Sequence, residues 1–308
     1  MSSNRLLPGL ASAAFAFAGL AAGNLHAAVD CAGLAPAAVP GQVPQGGIVR
    51  GRVPAGSELS MLGGESAGDP ALAIRNLRVG SEGEFVFGVG RDASGPVRLH
   101  LETPDGLACD FAVKVTTREW KLERVDGVPE ATVEPPPAIA ARIEREQALV
   151  AKARERDDDR NDFVARFDWP LTGRISGVYG SQRIYNGKPK SPHSGLDVAA
   201  PKGRPVLAPA GGTITFANPD LYLTGGTVLV DHGHGLSSSF LHLSQLDVSV
   251  GQRVEKGQSL GLVGATGRAT GPHMHWGMNW FGVRVDPQLL VDPSLNPAAS
   301  RASAPPSR

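Results

Sequence analysis

From Phe167 onward a glycine or proline interrupts the chain every few residues, and the pieces between them are short and rich in Val, Leu, Ile and Thr. Runs of that length satisfy a strand bounded by turns far better than a helix, which needs ten or more uninterrupted residues. The rest of the chain agrees, with 39 Gly and 25 Pro among 308 residues. A mainly β fold is expected over a helical bundle. The length allows about two domains, and an apolar fraction of 41% is enough for ordinary cores. Thirty basic residues cancel thirty acidic ones, so no global field draws the protein onto nucleic acid or an anionic membrane.

Residues 1–28 stand apart from the fold. Arg5 precedes an apolar run from Leu6 to Ala22, and small residues suitable for cleavage follow near Ala27 and Ala28. This is the pattern of a secretory signal, so the mature chain is expected in the periplasm or cell envelope. Pro8 and the many Gly and Ala residues make the same run a weak spanning helix, so no membrane anchor is expected after cleavage. Asp30 stands where a lipid-attachment site at Cys31 would need a small residue. The two cysteines, Cys31 and Cys109, can pair in an oxidising compartment or remain free thiols, and their number excludes a cysteine-based zinc site.

Three further segments are legible. Within residues 29–116, GIVRGRVPAG, GEFVFGVGRDASG and VRLHLETPDG each couple a β-rich run to a Gly, Pro or Asp-Gly turn, predicting a small antiparallel sandwich. His100 is alone there and reads as a surface or structural group. Residues 117–165 form a connector: an extended, Pro-rich lead, then AIAARIEREQALVAKARERDDDR, whose Ile139, Ile143 and Val150 fall on one stripe of a helix. Its charges read as a solvated face. Residues 166–292 form the last domain, and residues 293–308 read as a mobile low-complexity tail.

Six of the eight histidines, His193, His232, His234, His242, His273 and His275, fall in the last domain. PHSGLD sets His193 and Asp197 four apart, so an imidazole and a carboxylate can converge from one short segment. GPHMHWGMNW alternates, so on a strand His273 and His275 share one face while Met274 and Trp276 take the other. A catalytic zinc site needs three ligands from His, Asp or Glu and an open fourth position, and His193, Asp197 and one histidine of HMH supply that set. No HExxH helix provides a glutamate base. Histidine must serve instead, from the other member of HMH or from His242 in SSSFLHLSQL. DHGHG contains a second HxH, but Gly233 and Gly235 suit a hairpin turn, which places His232 and His234 at an exposed tip rather than on a metal. Arg183 and Tyr185 in SQRIYNG are assigned either to the wall of a cleft or to ordinary loop packing.

At HSGLD, FLHLS and GPHMHW the chain resembles the lysostaphin/LytM-type zinc endopeptidases, and the resemblance extends through YGSQRIYNGKPKSPHSGLDVAAP, GGTVLVDHGHGLSSSFLHLS and VGQRVEKGQSLGLVGATGRATGPHMHWG, about residues 166–286. GRVPAGSEL and VGRDASG resemble, more loosely, a domain that precedes this peptidase in bacterial cell-wall enzymes. The resemblance implies a strongly bent antiparallel sheet with an open groove. It also implies zinc on His193, Asp197 and His275, and His242 and His273 as general base and polarising or proton-donating group. The implied substrate is the peptide cross-link of bacterial peptidoglycan. The alternative is a noncatalytic LytM-type module that activates other wall hydrolases, but such modules lack the histidines present here. Residues 47–165 are long enough to fold over the groove and inhibit it.

Overall fold

The structure, a computed structural model, describes residues 39–63, 74–127 and 135–296. The expected signal, Cys31 and residues 297–308 lie outside the described residues. Among the described residues no helix is long and apolar enough to cross a membrane.

The fold is mainly β with antiparallel sheets. Strands β1 (Gln42–Pro44), β2 (Ile48–Arg52), β3 (Glu58–Leu62), β4 (Ile74–Leu77), β5 (Glu84–Gly88), β6 (Val97–Glu102) and β7 (Ala108–Thr116) form a five-stranded sheet, β1-β7-β6-β3-β4, and a two-stranded ribbon, β2-β5. Alternation explains the sheet: on β6 Val97, Leu99 and Leu101 are buried while Arg98 and Glu102 are exposed. His100 faces outward and meets Asp110 across the ladder at 2.6 Å, the surface role expected for it. Cys109 on β7 is disulfide-bonded.

The ribbon strand β5 is buried along its whole length, because it lies between the first sheet and the C-terminal part. Phe87 meets Trp280 edge-on at 6.4 Å. A side chain at Gly88 would place its Cβ 2.8 Å from both Trp280 and Val285. The guanidinium of Arg75 lies 4.1 Å from the Phe281 ring centre, and Arg118 pairs with buried Asp286 at 2.9 Å. One buried apolar cluster therefore runs through both parts.

The connector is more than a tether. Its lead forms β8 (Leu122–Val125), and helix α1 (Pro137–Ala153) follows. The helix turns the expected stripe inward, with Ile139, Ile143 and Val150 half-buried, but it has no fully buried residue. Arg142 reaches Asp220, and Glu146 accepts from the backbone N–H of Tyr222 at 2.8 Å. The following acidic run is not simply solvated: Arg160 pairs with buried Asp231, and Asp162 binds both Arg160 and Arg253.

The C-terminal part comprises β9 (Arg174–Gly177), β10 (Gln182–Tyr185), β11 (Lys188–Pro189), β12 (Gly195–Ala199), β13 (Pro205–Leu207), β14 (Gly212–Leu221), β15 (Gly225–Asp231), β16 (Leu236–Leu243), β17 (Gln245–Leu246), β18 (Arg253–Val254), β19 (Ser259–Leu262), β20 (His273–Trp280) and β21 (Val283–Val285). Seven of them form the main sheet in the order β18-β14-β15-β16-β20-β12-β9, with β21 pairing the end of β20. Strand β8 of the connector pairs in parallel with β10, so Arg183 and Tyr185 are half-buried in a small sheet, β11-β10-β8. Residues 293–296, expected in the mobile tail, are anchored. Asn296 is buried and exchanges two hydrogen bonds with the backbone of Gly173.

Candidate metal centre

Antiparallel register builds the site. Asp197 on β12 stands directly opposite His275 on β20, and Ala199 stands opposite His273. Opposed residues project from the same face, so Asp197, His275 and His273 converge while Met274, Trp276, Met278 and Trp280 fill the core on the other side. His193 comes from the loop before β12. That loop is fastened by His193 N–H to Ser181 O at 2.8 Å and Gly180 N–H to His193 O at 2.9 Å.

His242 reaches the group by a backbone irregularity. On β16 Phe240 points into the core, and strict alternation would send His242 the same way. Instead His242 adopts φ 65°, a left-handed conformation uncommon for a residue with a side chain. Leu243 thereby enters the core and His242 turns to the site, its ring centre 4.7 Å from that of His273.

Nδ1 of His275 is 2.9 Å from Asp197 Oδ1 and 3.1 Å from His193 Nε2, which is 3.2 Å from the same Asp197 oxygen. Zinc bonds of about 2.0–2.1 Å at tetrahedral angles set donor atoms ~3.3 Å apart, so this trio fits one ion. Among the described residues no fourth donor joins them. Second contacts fix the rings: Nδ1–H of His193 donates to Val178 O at 3.0 Å, that of His242 to Thr266 O at 2.8 Å and that of His273 to Gly271 O at 2.8 Å. Each bond leaves the opposite nitrogen, Nε2, free for a metal or a proton.

The charge states agree. Burial alone would raise the Asp197 carboxyl, but the close contacts of its Oδ1 with the His193 and His275 imidazoles hold it well below the usual carboxylate range. Burial depresses His275, and it pushes His242 down to about 4 despite the bond to Thr266, so His242 is a neutral proton acceptor at neutral pH.

All five residues singled out in the sequence, His193, Asp197, His242, His273 and His275, are thus brought together. The DHGHG pair is a different matter. It does sit in the turn between β15 and β16 and away from the trio, but both rings are buried rather than exposed. His232 bonds Gly211 O at 2.7 Å and Ser238 Oγ at 2.8 Å, and His234 packs on Phe163 with centroids 4.7 Å apart. The connector, invisible to a local reading of the turn, covers them. Sequence reasoning also missed Gly177. It stands opposite Asp197, and a Cβ there would lie 2.4 Å from Asp197 Oδ2.

Three donors with one direction open, and two imidazoles beside them, suit a metallohydrolase better than a structural metal site. Comparison narrows that class. Residues 191–287 match the family model described as Peptidase family M23. A solved structure of a putative peptidase M23 from Pseudomonas aeruginosa is 32% identical, with a TM-score of 0.58, over 82% of this chain and 95% of that one. The chain belongs to peptidase family M23. It is 36% identical to the cell division protein DipM of Caulobacter vibrioides over 42% of this chain and 20% of that one. It is also 39% identical to the peptidoglycan DD-endopeptidase ShyA of Vibrio cholerae over 33% of this chain and 24% of that one. The chain therefore spans about a quarter or less of these two relatives.

Proposed function

We propose that the protein is an exported, zinc-dependent endopeptidase that hydrolyses the peptide cross-links of bacterial peptidoglycan. The observation that carries this reading is the meeting of the His193, Asp197 and His275 donor atoms within 3.2 Å, beside two imidazoles that do not join them. Peptidoglycan enters through the relative named a DD-endopeptidase, and export through the Arg5-led apolar leader.

His193, Asp197 and His275 would hold the ion. Zinc bound there would act as a Lewis acid on the scissile carbonyl and on the attacking water. His242 Nε2 takes the proton of that water as its oxygen bonds to the carbonyl carbon. The proton is then delivered to the amide nitrogen as the C–N bond breaks, and the remaining hydroxyl proton passes to the released amine, giving a carboxylate and an ammonium group. His273, its Nδ1–H held by Gly271 O, would donate from Nε2 to the carbonyl oxygen once that nitrogen carries a proton, as negative charge develops.

The connector would restrain this site. Leu229, Ser237, Ser239 and Asn279 lie on the face of the main sheet that carries His275, opposite the core, yet each is at most 4% exposed. An open groove floor would be wet. Helix α1 packs on β14 of the same sheet, and Arg160 pins its trailing segment to Asp231.

Digestion of purified peptidoglycan, with mass spectrometry of the released fragments, tests the activity and names the bond. Chelator should stop release and zinc restore it. Intact cross-links after incubation with zinc-loaded protein, or a purified protein without zinc, would favour the activator reading.

A further inference from the structure

A cleft of about 490 Å³ opens beside the metal ligand His193, where the N-terminal and C-terminal parts meet. One wall is the turn after β5, with Arg91 and Asp92. The other is β21, with Arg284, and Tyr179 lies between them. Arg284 stands opposite Asn279 on β20, so it projects from the same sheet face as His275 and His273, at the far end of the same row.

The cleft carries an excess of guanidinium. Arg91 is preset: its Nε donates to Gly180 O at 2.8 Å, and its guanidinium stacks 5.0 Å from the centre of the Trp120 ring. It also pairs with Asp92, which balances one positive charge. Arg284 has no such balance. Among the described residues its side chain has no hydrogen-bond or ion-pair partner, while its backbone is tied down by Tyr179 Oη donating to Arg284 O at 2.8 Å. Burial raises the Tyr179 phenol well above its ordinary range, so that hydrogen bond persists at any physiological pH.

A third guanidinium, outside the cleft lining, adds positive charge on the side of Arg284. Arg154, at the C-terminal end of α1, buries its Nε without a hydrogen-bond partner. Burial and then the charge of Arg284 lower its pKa to about 10. Like charges that repel one another are a poor arrangement for stability and a good one for capturing an anion.

We propose that Arg284, with Arg91 contributed by the N-terminal part, forms a carboxylate-binding subsite that selects peptide substrates bearing a free carboxylate next to the scissile amide. This rests on the peptidase reading for the identity of the ligand as a peptide. It also gives the N-terminal part a share in recognition, separate from any restraint by α1. The carboxylate can be a side-chain group or a chain terminus, and both offer two oxygens to a guanidinium fork.

The test uses the full mature chain and three forms of one cross-linked muropeptide: unmodified, amidated at its side-chain carboxylate, and amidated at its C-terminus. Dissociation constants are measured by calorimetry on chelator-treated protein, which separates binding from turnover, and kcat/KM is measured on zinc-loaded protein. One amidated form should bind about 10- to 100-fold more weakly than the unmodified peptide, the loss expected for a charged hydrogen-bonded pair. Which form is weakened identifies the carboxylate. In Arg284→Gln that discrimination should fall to about 1-fold, and Arg284→Lys should keep part of it. Equal affinity of the parent for all three peptides overturns the proposal, as does undiminished discrimination in both Arg284→Gln and Arg91→Gln. Discrimination by a chain that cleaves none of the peptides leaves the subsite standing and removes the peptidase reading.

Discussion

His242 and His273 face each other with ring centres 4.7 Å apart, and each donates Nδ1–H to a backbone carbonyl, of Thr266 and of Gly271. Neither belongs to the trio of donor atoms. Their removal should therefore separate chemistry from metal binding. His242→Ala is expected to retain one zinc per chain and lose about 10²- to 10⁴-fold in kcat, the usual worth of a general base. Parent-rate cleavage of cross-linked muropeptides by this variant would refute its role.

His193→Ala should behave differently. It removes a donor whose Nε2 lies 3.1 Å from His275 Nδ1, so zinc content by plasma emission should drop below one per chain along with activity. Zinc should also cease to raise the melting temperature, because a ligand stabilises only the state that binds it.

Gly177→Ala tests the space behind the ligand. The added Cβ would fall 2.4 Å from Asp197 Oδ2, so the carboxylate must swing away. Zinc affinity is expected to fall about 10- to 100-fold, as when a group that orients a ligand is lost. A zinc titration with a competing chelator measures it, and parent affinity would mean the carboxylate moves without cost.

His232 makes stability depend on pH. Burial, against the bond to Gly211, lowers its pKa from 6.5 to about 4. The folded state thus binds fewer protons than the unfolded state between those values. Stability from this residue is full above pH 6.5 and declines as the pH falls toward 4, by on the order of 3 kcal/mol. Denaturant unfolding at pH 5 and pH 7 should show a smaller difference in His232→Gln than in the parent. An equal difference in the two proteins would assign the effect to other groups.

Glu146 fastens α1 at the Tyr222 N–H and, within the helix, pairs with Arg142, which reaches Asp220. If the helix restrains the site, Glu146→Ala should raise turnover several-fold while changing stability by less than ~1 kcal/mol, since the contacts are near the surface and the helix has no buried residue. Unchanged turnover would leave the connector a structural role only.

The local rules of strand and turn were enough, in the sequence, to define a mainly β chain, the helical stripe of Ile139, Ile143 and Val150, and the shared face of His273 and His275, because alternation and turn chemistry act over a few residues. The likeness of HSGLD, FLHLS and GPHMHW to a known peptidase pattern supplied the rest of the site. Tertiary structure alone decided what depends on distant segments. It turned His242 out of the core through a left-handed φ, buried His232 and His234 under the connector, and joined β8 to β10. It also brought Arg91 and Arg284, 193 positions apart in the chain, to the two walls of one cleft. Contacts of that kind are set by packing and register between elements, and no window of adjacent residues contains them.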